Sequence, residues 1–179
     1  MAAKSAVVEM RTLLRMHVVL AMAIAVAFAL TLSMAAHAAT IVVNSLADPG
    51  AAGICTLRDA ITAANKMTKT NSCVAGTGND TIRFSVTGTI FLASTLPQIT
   101  DNRLTIKGPP SPGITIDGGN KVQVMLVASC ATLDLRNLTI ANGFIANGFN
   151  ANLGGGIRND GTLKVTDSTF SGNDIGGPS

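Results

Sequence analysis

The sequence predicts an all-β fold, a right-handed parallel β-helix (solenoid) with a short N-terminal capping helix, preceded by a signal peptide. Three observations point there. After Cys73 the chain breaks into short apolar/polar alternations of period two, most of them closed by Gly, Pro, Asn or Asp. Segments of these alternations recur at offsets of 24 and 30 residues. One stretch of helical period, Cys55 to Asn65, stands ahead of them.

The leader comes first. Lys4, Arg11 and Arg15 precede an uncharged run from Val18 to Leu32, and Ala36-His37-Ala38 supplies small residues at a peptidase site. The run is short of the ~20 residues that span a bilayer, so a cleaved leader is expected in preference to an uncleaved anchor. Cleavage is expected between Ala38 and Ala39. The expected organisation is 1–38 signal peptide, 39–75 N-terminal strand and capping helix, and 76–179 β-helix coils, read as truncated.

The chain has 179 residues, 13 of them basic and 10 acidic. Removing the leader leaves ten basic and nine acidic, so the basic isoelectric point is no argument for a nucleic-acid partner, and none is expected. His17 and His37 leave with it, and residues 39–179 contain no His, Glu, Trp or Tyr. That excludes a His-based triad or a His metal site there, and removes the aromatic platforms that stack sugars or bases. No cofactor is expected.

Thr40-Ile-Val-Val-Asn44 reads as a first strand and Asp48-Pro-Gly50 as a turn. Leu57, Ala60, Ile61 and Ala64 then fall on one helical face, with Thr56 as N-cap and Asp59 as the capping-box acid. Of three cysteines, Cys55 and Cys73 bracket this unit and are the expected disulfide; two free thiols are the alternative. Cys130 follows an apolar strand and reads as a small buried thiol.

Strand alternations follow at Ile82/Phe84/Val86, Ile90/Leu92, Leu104/Ile106, Ile114/Ile116, Val122/Val124/Leu126, Leu133/Leu135, Leu138/Ile140 and Leu163/Val165. Ile114-Thr-Ile-Asp-Gly-Gly119 recurs as Leu138-Thr-Ile-Ala-Asn-Gly143 and, loosely, as Ser168-Thr-Phe-Ser-Gly-Asn173. Thr132-Leu-Asp-Leu-Arg136 matches Thr162-Leu-Lys-Val-Thr166. Stacked repeats would pair each strand in parallel with its copy, with Gly and Asn at turns of positive φ and Asn forming a ladder. An antiparallel sandwich explains the short strands but not matched order within a repeat. The helix would cover one open end, and self-association is expected through the other.

Cys55-Thr-Leu-Arg-Asp-Ala-Ile61 resembles the CSLREA motif of bacterial exported β-helix proteins, with Thr56 for Ser and Asp59 for Glu. Gly76-Thr-Gly-Asn-Asp-Thr-Ile-Arg-Phe84 is similar to the same family. Gly155-Gly-Ile157 and Phe170-Ser-Gly-Asn173 resemble the repeats of polymorphic outer-membrane proteins, with Gly156 in place of Ala. The resemblance covers nearly all of residues 39–179. It implies a right-handed β-helix that is secreted or on the cell surface (outer membrane or extracellular), with adhesion as its role; contact of this chain with the membrane is expected only through the signal peptide.

Candidate sites are few. Ala75-Gly-Thr-Gly-Asn-Asp-Thr-Ile-Arg83 nearly matches a calcium-binding β-roll nonapeptide and makes Asp80 a weak calcium candidate. A single copy cannot complete the oxygen shell, so Asp80 is expected to cap a turn. Asp117, Asp134 and Arg136 are expected at strand ends of neighbouring coils. Asp134 and Arg136 share a strand face and could polarise a uronate, but a solvated ion pair is the simpler reading. No catalytic residue is assigned. The expected function is a structural or adhesive surface segment with a surface polysaccharide or other cell-surface ligand as partner. The alternative is the N-terminal part of a β-helix polysaccharide lyase or hydrolase.

Overall fold

The computed structural model describes residue 17 and residues 38–101, 103–146 and 154–176. The chain divides into two units, Met1–Ala35 and Ala36–Ser179, and the second carries every element below. Apart from residue 17, the proposed n-region and apolar run lie outside the described residues.

In chain order the elements are β1 (Thr40–Val43), α1 (Leu57–Lys66), β2 (Thr81–Phe84), β3 (Gly88–Phe91), β4 (Leu104–Lys107), β5 (Ile114–Asp117), β6 (Met125–Val127), β7 (Thr132–Arg136), β8 (Leu138–Ala141), β9 (Phe144–Ile145), β10 (Ile157–Asn159), β11 (Thr162–Thr166), β12 (Thr169–Ser171) and β13 (Asp174–Ile175). They form parallel sheets in the orders β1-β2-β4-β7-β11, β3-β5-β8-β12, β6-β10 and β9-β13.

This topology corrects the expected right-handed parallel β-helix. The strands lie in several separate sheets, accompanied by one helix, and among the described residues no closed solenoid is formed. The physical reason is that a repeat encodes which residues lie side by side, whereas closure depends on the segments between strands. Those segments differ in length, and the two-stranded sheets have members only from the later part of the chain.

The register follows the repeats. Ile114 pairs with Leu138 and Thr139 with Thr169, while Thr132–Arg136 of β7 align residue by residue with Thr162–Thr166 of β11. Period two then brings like with like. Ile41, Ile82, Ile106, Leu135 and Val165 form one row, and Ile90, Ile116, Ile140 and Phe170 another. The inner members of both rows are fully buried and belong to one core cluster; each buried Ile or Leu contributes about 2 kcal/mol. The expected Val122/Val124/Leu126 face is shifted. Strand β6 starts at Met125, buries Met125 and Val127, and leaves Leu126 half-exposed.

Helix α1 forms as its pattern requires. The Thr56 hydroxyl caps the helix by accepting the Asp59 N–H at 3.2 Å, and it donates to the Asp59 carboxylate at 2.8 Å; Asp59 thus bonds the cap's side chain and not, as the expected capping box requires, its backbone N–H. Leu57, Ala60, Ile61, Ala63 and Ala64 are buried in the cluster that contains Ile41 and Val43 of β1. The loop after the helix comes close to it at Gly76, whose N–H bonds the Ala63 carbonyl at 3.1 Å. A Cβ there would lie 2.6 Å from the Ala64 Cα, so only glycine fits.

Candidate functional site

Strand alternation gives the five-stranded sheet an outward face opposite the buried isoleucines. Its register creates two rows across the strands. One is Thr40, Thr81, Thr105, Asp134 and Lys164; the other is Val42, Arg83, Lys107, Arg136 and Thr166. Arg83, Lys107 and Arg136 therefore stand on three neighbouring strands at one register position, about 4.8 Å apart at the backbone. Like charges side by side on a sheet destabilise it. Only Arg136 has a counter-charge: its Nε donates to Asp134 Oδ1 at 3.1 Å. Arg83 and Lys107 take part in no ion pair among the described residues.

The hydrogen bond from Arg136 holds the Asp134 carboxyl below the usual carboxylate range, against opposing desolvation, with the positive fields of Arg136 and Lys164 adding to the effect. The same pair raises Arg136. Asp134 is thus a weak proton acceptor; the expected ion pair is present but partly buried, with the Asp134 side chain 14% exposed.

Asp117 is not with them. It ends β5 in the four-stranded sheet, where its Oδ1 accepts the Gly119 N–H at 2.7 Å and its Oδ2 the Asn142 amide at 2.8 Å. Asn142 sits at φ 51° in the turn after β8. Asn173, a turn further along, bonds the Gly143 N–H and the Ile140 carbonyl. Asparagines thus bridge successive turns through backbone and Asp117, and among the described residues they form no side-chain ladder with one another.

Asp80 is buried at the start of β2, and its carboxylate is ringed by donors from Ala39, Thr77 and Gly78. N–H and O–H donors turn their hydrogens towards the oxygens a cation would need, so the residue works as a turn cap. Ala38 is exposed, and Ala39 is held by Thr77 and Asp80. Cys55 and Cys73 form a disulfide with Cα atoms 4.8 Å apart. Cys130 is not the buried thiol expected: it is exposed, at φ 68° in the turn before β7, because the apolar pattern ends before it.

Two features were not found in the sequence. The basic row needs the register before it exists. The ion pair of Arg58 with Asp48 joins residues from two motifs read separately; the arginine of Cys55–Ile61 was the available signal.

Comparison with protein-family models, with curated proteins and with solved structures found no match. Among the described residues, no helix is long and apolar enough to cross a membrane.

Proposed function

We propose that the chain is an exported, cell-surface or secreted protein with a structural and adhesive role, and that the outward face of the five-stranded sheet engages an acidic surface polysaccharide. The row of Arg83, Lys107 and Arg136 beside Thr81 and Thr105 carries this reading. Guanidinium and ammonium groups pair with carboxylates along a polymer, and threonine hydroxyls bond sugar hydroxyls. A rigid sheet presents these groups without ordering a loop on binding. The disulfide fits an oxidising compartment, and the resemblance of Cys55–Ile61 to the CSLREA motif supports export. The lyase or hydrolase alternative draws less support, since Asp134 is already committed to Arg136.

The test is binding of the exported chain to a polyuronate and to a neutral glucan across a salt series. Preference for the polyuronate, weakening with salt and reduced about tenfold in the Arg83→Gln, Lys107→Gln double variant, is the expected result. Equal binding to the neutral polymer, or no effect of the double variant, would remove the basic row from the proposal.

We further propose a second copy of the chain as partner at the free edge of β11, β12 and β13. Among the described residues each of these strands pairs on one side only. Val165, Phe170 and Ile175 are 42, 45 and 41% exposed there, and a second copy offers the same backbone groups and apolar side chains.

A further inference from the structure

We propose that cleavage between Ala38 and Ala39 creates an ion pair between the new Ala39 α-ammonium and the buried Asp80 carboxylate, so that processing itself locks the start of the fold. This rests on the reading of the chain as exported and cut after Ala38.

The Asp80 residue is 1% exposed. Its Oδ1 accepts the Ala39 N–H at 3.2 Å, the Thr77 N–H at 2.9 Å and the Thr77 hydroxyl at 3.0 Å. Its Oδ2 accepts the Thr77 N–H at 3.0 Å and the Gly78 N–H at 3.3 Å. All these donors are neutral in the uncut chain, and Asp80 takes part in no ion pair among the described residues. A buried carboxylate without a cation is costly.

The Ala39 nitrogen is the group placed to supply the missing charge. As an amide it has one hydrogen but two acceptors, Thr77 Oγ1 at 3.0 Å and Asp80 Oδ1 at 3.2 Å. Hydrolysis by a signal peptidase breaks the Ala38 C–Ala39 N bond. The hydroxyl of water passes to the Ala38 carbonyl carbon and its proton to the Ala39 nitrogen. Ionisation of the new carboxyl supplies the proton that completes the ammonium at neutral pH. Three N–H bonds then serve both acceptors at once, and hydrogen bonds between charged groups are about twice as strong as neutral ones.

The position is held from all sides. The Ala39 carbonyl accepts the Thr81 N–H at 2.8 Å, which fixes the nitrogen at the head of the β1–β2 ladder. The Asp80 N–H bonds the Arg103 carbonyl at 3.1 Å, and its carbonyl accepts the Thr105 N–H at 2.9 Å. A Cβ on Gly76 would come within 2.4 Å of Asp80 Oδ2, so only glycine lets the loop approach the carboxylate this closely. One ion pair would therefore tie together β1, the 76–78 loop and the start of β4.

The experiment uses the full chain exported with its leader. Intact mass first establishes where the purified protein begins; Ala39 is expected, and a different start overturns the cleavage reading and this proposal with it. The α-amine is then acetylated in urea and the protein refolded. Acetylation should lower Tm by roughly 5 °C in the wild type and by far less in Asp80→Asn. Equal losses in both proteins, or none in the wild type, overturn the ion pair while leaving export intact. If Asp80→Asn does not fold, acylation rates of the α-amine decide the matter. A paired amine reacts at least tenfold more slowly in the folded wild type than in urea, and equal rates overturn the pair.

Discussion

Arg58 on α1 and Asp48 in the loop after β1 meet through two parallel hydrogen bonds, Nε to Oδ1 at 2.7 Å and Nη2 to Oδ2 at 2.8 Å. The Asp48 side chain is 2% exposed. The remaining Arg58 donors reach the carbonyls of Thr95 at 3.0 Å and Ser94 at 2.7 Å, while the Ala93 N–H donates to Asp48. One guanidinium thus joins the helix to two loops. Arg58→Ala would leave a buried carboxylate without its cation and should cost about 3 kcal/mol in chemical denaturation. Arg58→Lys should recover only part of this, because an ammonium cannot match the fork. A loss below 0.5 kcal/mol would show that the clamp contributes nothing.

The Cys55–Cys73 disulfide spans a sequence separation of 18 and encloses α1. Closing a loop of that size stabilises by about 3 kcal/mol in the chain-entropy model. A thermal melt with reductant should show a lower Tm, and Cys55→Ala, Cys73→Ala should reproduce it without reductant. Cys130→Ser should melt like the wild type, since that thiol is exposed.

The Asp134 carboxyl titrates below its ordinary value in the folded chain because Arg136 hydrogen-bonds it. A carboxyl lowered on folding contributes stability at neutral pH, and that contribution is lost as pH falls below about 4. The Arg136 side chain is 42% exposed, which screens the pair and keeps its effect on stability small. NMR titration of the Asp134 carboxyl is the direct readout. Its midpoint should lie below the ordinary aspartate range and rise towards it in Arg136→Gln.

Association through the free edge predicts a sedimentation profile that shifts to larger species as protein concentration rises. Phe170→Lys should reduce it by placing a charge beside the unpaired strand. The same profile for variant and wild type would rule that edge out.

Local features were legible in advance because their causes are local. The face of Leu57, Ala60, Ile61 and Ala64 became the buried side of α1, and Thr56 its cap. The matching of Ile114 with Leu138 and of Thr132 with Thr162 became strand register, since a shift of one residue would turn every isoleucine outward. The exposure of Cys130 and the one-residue shift at Met125 escaped the pattern, because an apolar run does not say where pairing begins or ends.

The sequence by itself determined the helix, the period-two strands and the parallel register, all properties of neighbouring or repeated residues, while the structure decided between the Cys55–Cys73 disulfide and two free thiols. Only the tertiary structure decided that the strands divide into separate sheets in place of the expected solenoid. It alone aligned Arg83, Lys107 and Arg136 and placed the Ala39 nitrogen against Asp80. Those relationships depend on how the segments between strands bring distant residues together, and no periodicity along the chain carries that information.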